Sequence, residues 1–498
     1  MTIWNLLIGF AIGGGILTAL TGLYFKAHKN WLLTFLQNFT GVWFIFSGIV
    51  KAVDPMGTAF KMEQYFAAFE TTIKGTWLKG IAPMFPWLGQ YALAFSIFMI
   101  VLEIMIGVML ILGHKSKLTS WLFLIIMVFF TALTGYTHFT AYVPDGVNFF
   151  EFSKWGQYVE TNMKVTDCGC FGDFLKLSPT TSFYKDIALM PIALIFIFKH
   201  KDFHTLFTTR IRKAIIWLVL LATLAFCFYN TFMNEPIFDF RPFKNGVNIR
   251  EQKVAEDKAA GSQKITHWTF TNAQTGELLT LPDSVYMNNL DKYNKTNGWI
   301  FKDQIKSELT VKRTKISDFS VSNKEGSEVT EDLLNEKNYT FLAITWKMLS
   351  KTEKKKIIVS DSIFRKDTTR MKIAGRDSFT VKRSFDHVEQ REEVFNSFKF
   401  DENYRKLFTE KINPIMESAE KAGYKTAALV PYSDPKKIED FRQDAQTAYP
   451  FYTADDLTIK TMIRSNPGLY LLKDGQIVHK WHIKQLPDFE TIKATYIR

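Results

Sequence analysis

Two of the three cysteines in this 498-residue chain stand in one short run, Asp167-Cys168-Gly169-Cys170-Phe171-Gly172-Asp173. A thiolate is the nucleophile of thiol–disulfide exchange, so Cys168 and Cys170 are a candidate catalytic dithiol. Gly169 relieves the backbone strain of closing so small a ring. A disulfide closed there is strained, hence oxidising and exchangeable. Two other chemistries fit the same residues: a static staple, and metal ligation. For a metal, the further donors are only His138, Asp167 and Asp173, whereas structural zinc takes four N or S ligands, so no metal site is assigned. Asp167 and Asp173 instead fix the loop by accepting backbone hydrogen bonds, and as flanking carboxylates they tend to raise the thiol pKa values. The third cysteine, Cys227, lies among Phe226, Phe228 and Tyr229 and reads as a packed core thiol.

Two ionisable residues interrupt apolar sequence. Glu103 sits near the middle of an apolar stretch, about 18 Å from its outer end at a rise of about 1.5 Å per residue. A carboxyl at that depth faces a bundle interior or cavity. It is either a proton relay or contact for a quinone-like ligand, or an interhelical hydrogen bond that fixes packing. Lys51, with Asp54, reads as an interfacial anchor at the end of its segment.

The elements that must position these groups are apolar runs. Residues 3–24, 33–53, 91–113, 118–138, 183–199 and 213–232 are each poor in charge and long enough to cross a hydrocarbon core. We read six transmembrane helices. The first is no signal peptide, because its positive charges, Lys26 and Lys29, follow the apolar stretch instead of preceding it. Lys and Arg concentrate after helices one, three and five, which puts both chain ends and the cysteine loop on the outer face. Residues 54–90 are aromatic-rich and are expected as short amphipathic pieces at the membrane surface. Ser178-Pro179-Thr180-Thr181 is a helix-start signal. The net charge of +12 divides as 17 basic against 11 acidic side chains over 1–231 and 44 against 38 over 232–498. No basic stripe with interleaved aromatics emerges, so nucleic-acid binding is excluded as a reading.

From Asn234-Glu235-Pro236 onward the chain turns polar. Residues 316–321 and 339–345 read as strands, 403–423 as a helix, 425–430 as a buried strand and 434–445 as a second helix. A strand, Asp-Gly turn and strand follow over 465–478. This order, from Asp318-Phe319 through Phe341-Leu342-Ala343-Ile344-Thr345-Trp346 to Pro467, resembles thioredoxin-like domains of the TlpA and peroxiredoxin type. Where those families place a reactive cysteine, this chain has Lys347-Met348-Leu349-Ser350-Lys351, and no cysteine follows Cys227. Pro467 matches the family's cis-proline, the residue type for which a cis bond is cheap. Residues 351–402 are a charged insertion outside that pattern, and 233–315 look β-rich.

The membrane half resembles the DoxX and MauE families on Phe46-Ser47-Gly48, Lys51, Asp54-Pro55, Glu103 with Gly107, and the Asp167-Cys168-Gly169-Cys170-Phe171-Gly172 loop. The Cys-Gly-Cys-Phe-Gly run is the MauE-like part. The resemblance covers about residues 33–200 and implies a four-helix core like that of DsbB-type disulfide-handling proteins, with an apolar pocket that could take a quinone, although no motif is diagnostic for one. MauE is associated with methylamine utilisation and the maturation of a disulfide-rich partner. DsbB-like enzymes use two cysteine pairs, so a single pair calls for a partner that supplies the second dithiol.

The expected fold is therefore a polytopic all-α membrane domain followed by a soluble α/β thioredoxin-like domain. Its divisions are 1–32, a leading helix and loop; 33–200, the bundle; 201–232, the sixth helix; 233–315, a β-rich linker; and 316–498, the thioredoxin-like domain. The expected function is a redox accessory protein of a bacterial inner membrane, multi-pass, with both termini periplasmic and an envelope client docked on 233–498. The competing expectations are a non-enzymatic envelope scaffold with a structural disulfide and, third, a carrier using Glu103.

Overall fold

Six helices long and apolar enough to cross a membrane precede a soluble mixed α/β region built on an open sheet. The computed structural model describes residues 2–165, 168–373 and 376–497.

The helices of the first half are α1 (Ile3–Ala19), α2 (Trp31–Val53), α3 (Pro55–Lys74), α4 (Met84–Gln90), α5 (Ala92–Leu112), α6 (Ser116–Thr140), α7 (Pro179–Lys199) and α8 (Thr209–Phe228). All but α3 and α4 are candidate spans. Their ends obey local chemistry. The Asn30 side chain accepts from Leu33 N at 3.0 Å to cap α2, and Ser178 accepts from Thr181 N at 3.2 Å to cap α7, with Pro179 next in line. α2 and α5 cross at a glycine contact: a Cβ on Gly107 would stand 2.7 Å from the Gly41 carbonyl oxygen, so only glycine permits this approach.

Residues 54–90 depart from the expected short pieces. Asp54 accepts from Gly57 N at 3.0 Å and starts the 20-residue helix α3. Asp-Pro is a helix-start pair, and reading it as the end of α2 hid the helix that follows. α3 packs on α5, with the Ser96 hydroxyl donating to the Pro55 carbonyl at 2.7 Å.

After α8 comes α9 (Ile249–Gly261), then β1 (Ile265–Asn272), β2 (Leu278–Pro282), α10 (Asp283–Met287) and β3 (Trp299–Lys306). These strands form a small antiparallel sheet in the order β2-β1-β3. Next follow β4 (Val321–Ser322), α11 (Thr330–Leu334), β5 (Tyr339–Ile344), β6 (Ser350–Ile373), β7 (Arg376–Phe400), α12 (Glu402–Leu407), α13 (Asn413–Lys421), β8 (Lys425–Pro431), α14 (Pro435–Asp444), β9 (Phe451–Ala454), α15 (Asp456–Met462), β10 (Gly468–Lys473), β11 (Gln476–His482) and α16 (Phe489–Tyr496).

The main sheet runs β11-β10-β5-β8-β9-β4, with β5, β8 and β9 parallel and the rest antiparallel. Because successive strand residues face opposite sides, Phe341 and Ala343 enter one core while Leu342 and Ile344 enter the other. Both faces are covered, which is why the whole of β5 is buried. Of the strand expected over 316–321, only Val321 pairs; Ile316 and Phe319 are buried, but Phe319 N bonds Ile316 O at 3.1 Å in a turn. The apolar residues there marked burial, not strand pairing. The charged insertion is a two-stranded ribbon, β6 against β7.

Candidate functional site

The cysteine loop is held by two left-handed glycines and one buried ring. Gly169 has φ +61° and Gly172 φ +50°, conformations that favour glycine, and Gly172 N bonds Gly169 O at 3.1 Å. Phe171 is fully buried between α1 and α2, its ring 6.5 Å from Phe10 and 6.1 Å from Phe46. The loop is thus pinned into the mouth of the bundle. Asp167 lies outside the described residues. Cys168 and Cys170 are half-buried and not joined to each other.

Each cysteine has its own polar neighbour. The Tyr65 hydroxyl of α3 is in hydrogen-bond contact with Cys168 and accepts from the Thr137 hydroxyl at 3.4 Å. Burial, then the adjacent Cys168 charge, push the Tyr65 pKa far up, so the phenol keeps its proton to donate to sulfur. The Cys170 carbonyl stands 3.0 Å from the Ser47 hydroxyl, which also lies 3.0 Å from Glu103 Oε2.

Beneath Cys170 lie four charges. Lys51 Nζ is 2.5 Å from Glu103 Oε1 and donates to Ser47 at 3.2 Å; these two residues are 5% and 1% exposed. Lys185 pairs with Asp186, whose carboxylate also accepts from the Thr134 hydroxyl at 3.0 Å. The space they share with Cys170 is about 20 Å³, room for about one water molecule and none for a quinone ring.

Lys51 is therefore not an interfacial anchor but the buried partner of Glu103. The two meet because α5 begins well above the end of α2. Ser96 is level with Pro55, which leaves Glu103 only seven residues, about 10 Å, below the α2–α3 junction. Depth measured from the end of α5 alone misplaced it. Lys185 and Asp186 were not singled out in the sequence, although adjacent opposite charges at the start of an apolar run were a usable signal. Tyr65 carries no signal of its own in the sequence, because only the helix α3 brings it to the cysteine loop.

The α/β region sits directly on this mouth. Arg464, its side chain 4% exposed, donates from Nε to Asp54 at 2.8 Å and from Nη2 to Asp54 at 2.6 Å and Asp173 at 3.3 Å. The Glu235 carboxylate accepts from Arg464 N at 3.1 Å and Ser465 N at 2.8 Å and pairs with Arg241 at 2.7 Å; Arg241 in turn pairs with Asp239 at 2.7 Å. Burial alone would raise the pKa of Asp54, but the Arg464 charge and hydrogen bonds outweigh it and hold the carboxyl below its usual range. The Arg241 and Lys480 charges likewise outweigh burial at Glu235 and Asp239. Trp346 meets Phe60 of α3 edge-on at 5.0 Å, and Lys460 pairs with Glu63 at 3.3 Å.

Between the two halves is a cleft of about 330 Å³ lined by Asp54, Lys61, Gly169, Asp173, Lys460 and Arg464 among others. The glycines of the loop face this cleft, whereas Cys170 lines the inner cavity. Pro467, next to this junction, follows Asn466 through a cis bond. His138 is spent on packing: it stacks on Phe183 at 5.2 Å and bonds Thr180 at 3.1 Å. Cys227 is buried among Ala52, Ile100 and Ile104.

Residues 29–145 match the family described as methylamine utilisation protein MauE. No curated protein and no solved structure matches the chain. The match covers the α2–α6 part of the bundle and stops before the cysteine loop. The chain thus joins a DoxX/MauE-like membrane region to a C-terminal α/β domain.

Proposed function

We propose that this chain is a membrane-embedded redox accessory protein in which Cys168 and Cys170 exchange disulfides with an envelope protein. The observation that carries the reading is the setting of the pair. One thiol has a protonated phenol in hydrogen-bond contact, and the other lines a small polar cavity with two ion pairs, Lys51–Glu103 and Lys185–Asp186. A hydrogen bond from the phenol favours the Cys168 thiolate. In the exchange, one cysteine thiolate attacks a partner disulfide, forming a mixed disulfide and expelling one partner thiolate. The second cysteine then attacks the mixed disulfide, closing the Cys168–Cys170 bond and releasing the partner as a dithiol. Run backwards, the closed pair oxidises a partner dithiol. In the forward direction the partner disulfide is the electron acceptor, and the cavity of about 20 Å³ beside Cys170 has no room for a quinone ring.

The α/β domain is read as a thioredoxin-like clamp without redox chemistry of its own. The sheet order, the cis Asn466–Pro467 bond ahead of β10 and the lack of cysteine after Cys227 support this. In place of a dithiol turn, the Asn466 side chain accepts from Trp346 N at 3.1 Å and Lys347 N at 3.2 Å and donates to Lys347 O at 2.8 Å. α2, α5, α6 and α7 are read as the four-helix DoxX/MauE-like core, in a bacterial inner membrane with the α/β domain periplasmic. The maturation role implied by the MauE resemblance fits such a membrane-bound accessory.

A second reading, a non-enzymatic envelope scaffold with a structural disulfide, is favoured by one observation: the cleft between the halves meets the loop's glycines instead of its thiols. Differential alkylation of Cys168 and Cys170 in membranes across a glutathione titration decides between them, with single Cys→Ser variants probed for trapped adducts. A potential well above about −300 mV with a mixed-disulfide adduct is expected for exchange. A pair that stays oxidised at more reducing potentials and traps nothing assigns the scaffold.

A further inference from the structure

We propose that the groove at the carboxyl ends of β5 and β8 docks an acidic segment of the partner protein. The groove has a volume of about 880 Å³ and is walled by the turn after β5, the base of the β6–β7 ribbon and the first turn of α14. Its floor is apolar, formed by Trp346, Met348 and Phe400.

Four lysines and four carboxylates line the groove, and among the charges without an ion-pair partner the lysines prevail. Lys347, Lys351, Lys399 and Lys437 all line the groove, and among the described residues none of the four makes an ion pair. The lining carboxylates are engaged elsewhere: Asp401 accepts from Tyr404 N at 2.8 Å as the cap of α12, Glu402 pairs with Lys406 at 3.0 Å, and Asp456 pairs with Lys460 at 3.0 Å. Glu353, and Asp401, whose charge the backbone N–H does not neutralise, remain against the four lysines.

The lysines are also set against one another. Lys351 and Lys399 are direct cross-strand partners, an arrangement that destabilises a sheet when both carry the same charge. Lys437 is half-buried, and burial followed by the charge of Lys347 lowers its pKa. Two like-charged pairs facing one groove are relieved by carboxylates from outside, and the apolar floor adds a preference for aliphatic or aromatic side chains between them. The groove also adjoins the membrane half, since Trp346 forms part of its floor and rests on Phe60. A segment seated there lies close to the start of α3. The inference rests on the exchange reading in that it gives the exchanging partner its recognition chemistry.

The test uses the full chain in nanodiscs of zwitterionic lipid and a fluorescent peptide of alternating Glu and Leu, followed by anisotropy. The wild type is expected to bind it about tenfold more tightly than the Gln-for-Glu peptide, with affinity falling as salt rises. The surface variants Lys347→Gln/Lys437→Gln and Lys351→Gln/Lys399→Gln are each expected to lose about threefold to tenfold. Equal binding of the two peptides, undiminished binding by both variants, or capture of phosphatidylglycerol vesicles in place of the peptide overturns the proposal. Cys168→Ser/Cys170→Ser must bind the peptide normally. Peptide binding without any trapped disulfide in the wild-type chain removes the exchange reading and leaves the groove, whereas trapped disulfide without acidic-peptide binding removes the groove alone.

Discussion

Arg464 of the α/β domain and Asp173 of the cysteine loop meet at 3.3 Å, so the soluble half holds the redox-candidate loop itself and not merely the bundle around it. The same guanidinium grips Asp54 at the α2–α3 junction with two nitrogens. One buried cation therefore ties together the end of α2, the start of α3, the cysteine loop and the turn before Pro467.

Arg464→Met leaves Asp54 without its paired cation and Asp173 with only the half-exposed Lys176 at 3.3 Å. Breaking a buried pair from one side costs about 3–5 kcal/mol, so the α/β domain is expected to come off the bundle. Hydrogen exchange is the measurement, with protection lost together in the 168–176 loop and at the start of α3. Unchanged protection at both sites rejects Arg464 as the fastener.

Lys51 and Glu103 are expected to behave as a coupled pair. Lys51→Met or Glu103→Leu alone destabilises the bundle by about 3 kcal/mol, while the combination Lys51→Met/Glu103→Leu recovers most of that loss. Thermal unfolding in detergent completes the cycle. If Glu103→Gln is as stable as wild type but abolishes function with normal thiol chemistry, the carrier reading returns.

Tyr65→Phe removes the donor beside Cys168 while keeping the ring. A hydrogen bond to a thiolate favours the charged form, so the midpoint of Cys168 alkylation against pH is expected to rise by about one unit. Cys170, which Tyr65 does not bond, serves as the internal control. A midpoint that stays put removes Tyr65 from the chemistry.

Acid should undock the α/β domain. The Asp54 carboxyl is held below its usual range in the docked form, against about 3.9 when free. A depressed carboxyl stabilises fully above the free value and loses its contribution as pH falls through the docked one. Asp239 and Glu235 act in the same direction on the turn that carries Arg464. Inter-domain energy transfer is therefore expected to be flat from neutral pH to about 4.5 and to fall below about 4. A loss near pH 6.5 instead would point to a histidine.

Much of the architecture was legible in the sequence because it depends on local rules. Apolar length marked all six spans, Ser178-Pro179 marked the start of α7, and the short continuous apolar runs around Phe341 and Leu429 marked buried strands of the main sheet. Local rules also misled where two of them compete. Asp54-Pro55 ends one helix and starts another, and the strong end signal hid α3 and with it Tyr65.

The sequence by itself determined which residues are present to do chemistry: one Cys-Gly-Cys loop, glycines for its turns, isolated charges in apolar helices, and no thiol beyond Cys227. Only the tertiary structure decided their partners. Lys51 finds Glu103 across 52 residues, and Arg464 finds Asp173 across 291. Those meetings depend on the stagger of α2 against α5 and on where the α/β domain settles. Both are set by glycine contacts, ring packing and buried charge between distant segments, none of which leaves a periodic mark along the chain.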